Sequence, residues 1–328
     1  PFDRTVDMAM VAAARALQQA GLLASAPPYT PQDLPVILGT GGGPALSQYE
    51  SYKGYFAGGI RAVRPTTVPR CMNNALSSQV SMHFRLTGPN YVVSSACTSS
   101  SSAIGIVFRM IRHGYATRAL CGGAEAIFAH GIFASWNNLG VMSRNPDPQR
   151  ACRPFDAARD GCILGEGSAA FVLESLESAR SRGATIRAEI SGFGESSDAE
   201  HLTRPSPEGQ ARAIRAALES AAISPADVGF INTHGTATAS NDECESQSIR
   251  AALGPAADSI PVASNKSFFG HLLGASGAME IAATILGLEN RRVPPNLNLD
   301  SPDPKCNVRL VGRAPMEVSS PVAMKNSF

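Results

Sequence analysis

Residues 91–105 read YVVSSACTSSSSAIG: a β-branched run, one cysteine in a bed of serines, then small apolar residues. The run predicts a strand over YVVSSA, and the residues from about 98 to 113 a helix closed by Gly114. A strand that feeds a helix through Cys97 sets the thiol at a helix N-terminus. There the positive end of the dipole favours the thiolate over a thiol of reference pKa about 8.5. Buried cysteines also serve as small inert filler, so this stretch alone leaves both readings of Cys97 open.

The same strand-and-helix alternation runs outward in both directions. Upstream lie a helix over about 5–20, ended by Gly21, and a buried strand in PVILGT. Downstream, RALCGGAEA, GSAAFVLESL and TIRAEISGFG read as strands and ESARSRG as a short helix. The second half predicts helices over about 208–222, 242–253 and 272–289, with strands in VGFINT and IPVAS. Alternation of this kind indicates an α/β fold. Residues 141–165, VMSRNPDPQRACRPFDAARDGCILG, read as a long connecting loop of the sort that often carries function.

Composition narrows the partners. With 328 residues, 44% hydrophobic and 17% charged, the chain can bury a large core. Its 28 Lys and Arg against 27 Asp and Glu give a net charge of +1, so no bulk basic field points to nucleic acid or an anionic membrane. Seven cysteines form no CxxC pair and no closely spaced framework, which argues against structural zinc and disulfide stapling and for the reducing cytoplasm. No apolar run approaches the roughly 20 residues of a spanning helix, and nothing resembles a signal peptide. The opening PFDRTV and the closing VAMKNSF are abrupt, and we expect further residues at both ends.

Two histidines alter the reading of Cys97. His234 lies in INTHGTATASND and His271 in SNKSFFGHLLGASG, each just after a predicted strand, with Lys266 five residues before the second. In α/β sheets ligands bind in the crevice beyond the strand ends. Either histidine taken singly also suits a structural role. Metal ligation lacks an HxxxH or a His/Cys pair at ligand spacing. A Cys/His/Asn protease arrangement with Asn265 has no local support. GTGGGP (39–44) lacks the following GK[ST] of a phosphate loop and reads as a turn. His83, His113, His130 and His201 read as structural or solvent-facing.

Together, ACTSSSSAIG (96–105), THGTAT..ND (233–242) and NKSFFGHLLGASGAMEI (265–281) resemble the nucleophile motif and the two histidine motifs of a known family. That family is the β-ketoacyl-acyl-carrier-protein synthases of the elongating type II kind, with the ketosynthases of polyketide assembly lines. RPFDAARDGCILGEGSAAFVLE (153–174) and RRVPPNLNLD (291–300) are also similar, and the likeness covers nearly the whole chain. It implies a thiolase-like fold of two duplicated βαβ halves in α/β/α/β/α layers. Residues 1–175 would carry the nucleophile and 176–328 the His and Lys residues, in one compact unit. It also implies that Cys97 carries an acyl group, that His234 and His271 promote decarboxylation of a malonyl thioester as Nε2 donors, and that Lys266 and Glu280 hold the histidine network. By the same resemblance Thr236 and Thr238 bind the phosphopantetheine arm, Met72 and Cys162 line the acyl pocket, and no metal or redox cofactor is needed.

The partners implied are an acyl carrier protein and either a second copy or a chain-length-factor-like homologue, with Arg61, Arg64 and Arg70 as a basic patch for the acidic carrier. Cys162, Thr66 and Thr67 stand where the family often has aromatics, which suggests a wider or more polar pocket suited to polyene or polyketide intermediates. The alternatives are a ketosynthase-like acyltransferase that does not elongate, a catalytically silent chain-length partner, and a degradative thiolase. The thiolase needs a second cysteine in a glycine-rich setting, which Cys306 in PKCNVRL lacks.

Overall fold

Asp3 begins helix α1 (Arg4–Gln19) by accepting the Thr5 backbone N–H at 2.9 Å, and the helix buries Val6, Ala9, Ala13 and Leu17 along one stripe. The computed structural model describes residues 2–23, 26–201 and 203–328 and divides them into two units. The first comprises 1–135, 165–186 and 272–279; the second comprises 136–164, 187–271 and 280–328.

In the first unit, β1 (Val36–Gly39), β2 (Asn90–Val93), β3 (Arg118–Glu125) and β4 (Gly167–Glu174) form a sheet in the order β2-β1-β3-β4. The first three are parallel and β4 is antiparallel to β3. Helices α2 (Ala45–Gly58), α3 (Thr67–Cys71) and α4 (Ala75–Phe84) lead from β1 to β2. α1 and α4 cover the sheet, and Leu17, Leu38, Leu76, Val80 and Leu120 meet there in one apolar cluster. Each such side chain stabilises the fold by about 1.5–3 kcal/mol. β1, buried throughout, takes its continuous VILG run from this sandwiched position.

Helix α5 (Ser99–Arg112) follows β2 and rests on the strand ends. A Cβ on Gly39 would lie 2.3 Å from the Ser99 and Ser100 backbone, and one on Gly123 would lie 2.6 Å from Ser100 Cβ, so only glycine allows this approach. The chain continues through α6 (His130–Asn138) to β4 and α7 (Leu176–Ser181).

The second unit contains α8 (Pro207–Ala221), β5 (Phe230–Asn232), α9 (Ala239–Leu253), β6 (Val262–Ala263), α10 (Lys266–Phe269), the later turns of α11 (Ser276–Glu289), β7 (Arg292–Val293), β8 (Met316–Glu317) and β9 (Ala323–Lys325). β6-β5-β9 form a parallel sheet and β7-β8 an antiparallel pair. The loop over 141–165 is held by polar side chains. Asp156 accepts the Asp300 and Ser301 N–H groups, Arg159 pairs with Asp303 at 2.6 Å, and Asn298 donates to Cys152 O. The two linking sequences noted above thus fasten to each other.

Three expectations are corrected. TIRAEISGFG (185–194) forms no ladder among the described residues; Gly192 and Gly194 instead lie against the α8 backbone, and Ile186 is half exposed. The helix expected over 272–289 begins at Ser276, after a 3-10 turn at Leu273–Ala275. β5 and β6 are shorter than VGFINT and IPVAS. Among the described residues no helix is long and apolar enough to cross a membrane.

Candidate functional site

Cys97 lies in the turn between β2 and α5, two residues before the first helical residue. Ala96 before it has φ +50°, a left-handed conformation that costs a non-glycine residue about 1–2 kcal/mol. Ser99 offsets that strain by accepting the Ser95 N–H at 2.9 Å and donating to Ala96 O at 2.6 Å. The half-buried Cys97 is thereby set at the start of a 14-residue helix, whose dipole favours a thiolate. Ser99 and Ser100 are fully buried, and Ser100 Oγ accepts the Ala278 N–H, so the serine bed is a packed first turn.

The second unit gathers the expected His, Lys and Glu residues. His234 follows β5 and His271 follows α10; their rings stand 5.2 Å apart at 86°, with only 4% and 3% of each residue exposed. His271 is fixed through its backbone, whose N–H donates to Ile163 O at 2.6 Å. Lys266 Nζ donates to the His234 carbonyl and to Glu280 Oε1, both at 2.5 Å, and lies 3.4 Å from His234 Nδ1. An ammonium has only donors, so Nδ1 is the acceptor there and the ring proton sits on Nε2. Burial, then the Lys266 charge, hold both imidazoles well below their usual range, so both are neutral at pH 7. Two neutral N–H donors in a dry setting can stabilise a developing oxyanion.

Three further charged groups complete this arrangement, and the sequence reading gave none of them a role, although Asp242 closes the THGTAT..ND motif. Glu245 on α9 accepts the His234 N–H at 2.8 Å and the Gly235 N–H at 2.7 Å, and burial pushes its carboxyl up to about 7. Asp242 accepts the Phe155 and Ala237 N–H groups. Lys325 at the end of β9 lies 2.9 Å from Glu280 Oε2. Acidic residues spaced i, i+3 after THGTAT, and a lone lysine in the strand PVAMK, were the available signals. In the first unit Glu125 escaped in the same way. It takes the N–H groups of Gly41, Gly42 and Gly274 and the Thr40 hydroxyl, which explains why GTGGGP is no anion loop: its amides already hold a carboxylate.

Of the remaining candidates, Thr236, Thr238, Cys162 and Asn265 belong to the second unit and Met72 to the first. Thr236 Oγ1 and Thr238 Oγ1 are 2.9 Å apart, and Thr238 caps α9. Cys162 is buried, its thiol pushed up to about 11 by burial. Met72 is half exposed in the first unit, where Arg61, Arg64 and Thr66 are also exposed. Asn265 accepts from Asn232 Nδ2 at 2.5 Å. His83 packs edge-on against Phe84, and His201 accepts from the Thr203 and Arg204 N–H groups.

Comparison with known proteins bears on both units. The profile of the β-ketoacyl synthase N-terminal domain matches residues 2–179, and that of the C-terminal domain matches residues 187–300. A 3-oxoacyl-(acyl-carrier-protein) synthase 2 from Synechocystis sp. is 38% identical over all of this chain and 79% of its own length, and one from Staphylococcus aureus is 37% identical over the same shares. Among solved structures, the ishigamide ketosynthase/chain length factor is 33% identical with a TM-score of 0.91, covering 99% of this chain and 79% of that one. A type II PKS ketosynthase bound to the hexaketide, in complex with its acyl-carrier protein, is 31% identical with a TM-score of 0.92, covering 99% and 81%.

Proposed function

The chain belongs to the β-ketoacyl synthase family, with its thiolase-like fold, and from that premise we propose that it catalyses a decarboxylative Claisen condensation on acyl-carrier thioesters. The Cys97 thiolate attacks the carbonyl of an acyl carrier; the new bond to sulfur forms as the bond to the carrier's pantetheine sulfur breaks, and that sulfur leaves as thiolate. A malonyl carrier then loses CO2, and the electron pair of the broken C–C bond becomes an enolate held by the Nε2–H groups of His234 and His271. The enolate carbon attacks the acyl-Cys97 carbonyl, Cys97 leaves as thiolate, and a β-ketoacyl carrier is released.

The observation that carries this reading is the buried, neutral His234–His271 pair backed by Lys266. Acyl transfer without elongation has no enolate to stabilise, and a silent chain-length partner has no need of Cys97 at a helix start. Lys266 and Glu280 hold the pair, Thr236 and Thr238 receive the pantetheine arm, and Met72 and Cys162 face the acyl chain. The chemistry as proposed draws on no metal or redox group. We assign 1–175 and 176–328 as the two related halves. The partners are an acidic carrier and a second copy or a chain-length-factor-like homologue. Pairing with either chain is supported by β2, an edge strand whose Asn90 and Tyr91 are exposed. We place the reaction in the cytoplasm, and a pocket widened at Cys162 suits polyene or polyketide chains; a strong preference for saturated over polyunsaturated acyl carriers would contradict the latter.

Intact-mass analysis after incubation with an acyl carrier tests the first step. An acyl adduct is expected on the native protein and none on Cys97→Ala; an adduct that persists in the variant overturns the assignment.

A further inference from the structure

Glu280 lies between two lysines. Its Oε1 meets Lys266 Nζ at 2.5 Å and its Oε2 meets Lys325 Nζ at 2.9 Å, with the Glu280 and Lys266 side chains fully buried and Lys325 7% exposed. One carboxylate stands between two ammoniums, so positive charge exceeds negative within this trio; Glu245, whose carboxyl is pushed up to about 7 by burial, is the other carboxylate that faces Lys325. Lys325 reaches it from β9, where it is paired with Asn232 of β5, two residues before His234. The charged and titratable groups that face it are Glu280 on α11, Lys266 on α10, Glu245 on α9, and the two histidines. A second ammonium in such a place is costly to desolvate, and the Glu280 contact offsets that cost only in part.

We infer that Lys325 is a second positioning lysine of this site: it closes the far side of Glu280, locks the carboxylate against Lys266, and supplies the surplus charge behind His234 and His271. The inference rests on the reading of that pair as the decarboxylation site. The charge acts in two ways. It disfavours a proton on either ring, in agreement with the downward push of Lys325 on both imidazoles. It also shares the Glu280 carboxylate with Lys266, and a cation held there favours negative charge gathering at the Nε2–H donors. Lys325 does so through the rings and Glu280, without touching the reacting atoms.

The test separates the two half-reactions in the full chain: Cys97 acylation by intact mass, and CO2 release from malonyl carrier. Loss of a direct oxyanion donor costs roughly 100- to 1,000-fold. Lys325→Met acts one shell further out and is expected to slow CO2 release on the order of 10- to 100-fold, with acylation slowed far less. Its acid limb should move to higher pH, because a ring that loses a cationic neighbour binds a proton more readily. Lys325→Arg, or methylammonium added to Lys325→Ala, should restore part of the rate. CO2 release unchanged in Lys325→Met overturns the inference. So does a parallel fall of both half-reactions with melting temperature that neither arginine nor methylammonium repairs. A native protein that takes an acyl group yet releases no CO2 from malonyl carrier overturns the functional reading itself.

Discussion

At the scale of single residues, the site is governed by what burial does to charge. His234 and His271 have folded pKa values held below the unfolded value of about 6.5, so the stability they contribute is present above that pH and is lost as the pH falls. Glu245 acts in the opposite sense. Its pKa rises from 4.5 to about 7, so its contribution is present below 4.5 and is lost as the pH rises through 7. Urea unfolding of the native protein and Glu245→Gln at pH 5 and pH 8 isolates this term. The native protein should lose stability relative to the variant by about 3 kcal/mol between the two conditions. A pH-independent difference would show that the Glu245 carboxylate is not strained. Of these groups, Cys97, both histidines, Lys266 and Glu280 were legible because each sits in a dense local motif. Glu245, Asp242, Glu125 and Lys325 were not, because their work depends on backbone amides and carboxylates brought from distant parts of the chain.

At the scale of elements, the turn into α5 is the part on which Cys97 depends. Gly39→Ala places a methyl group about 2.3 Å from the Ser99 and Ser100 backbone, which has no flexible end to yield. Overpacking of this kind costs about 1–3 kcal/mol. We expect lower thermal stability together with slower Cys97 acylation; full acylation in a stable variant would mean that α5 does not depend on this approach. Helices α1, α5 and α8 could be read from their apolar periodicity, and β1 from its continuous apolar run. The stretch 185–194 alternates like a strand, but periodicity reports which face is buried and not whether a partner strand lies alongside. The 3-10 turn before α11 escaped because Gly274 is placed by Glu125, which lies 149 residues earlier in the chain.

At the scale of the whole molecule, a net charge of +1 gives no long-range attraction for an acidic carrier, so a local patch must supply it. Arg61 and Arg64 are exposed around a 3-10 turn at Ile60–Ala62. Arg64→Glu should weaken carrier binding in titrations at low salt and leave turnover of acyl-pantetheine unchanged; equal carrier affinity would remove Arg64 from the patch. The α/β class and the motif order were legible because they are local. The assignment of short stretches such as 165–186 and 272–279 to the first unit was not, because contacts set it. The central claim is that an acyl group on Cys97 is consumed by carbon–carbon bond formation. Its most direct test is to isolate the acylated protein, add isotopically labelled malonyl carrier, and follow both the Cys97 peptide and the carrier by mass. The adduct is expected to disappear as a β-ketoacyl carrier two carbons longer appears with one equivalent of CO2. Discharge of the adduct to free acid, with no elongated carrier, would contradict it.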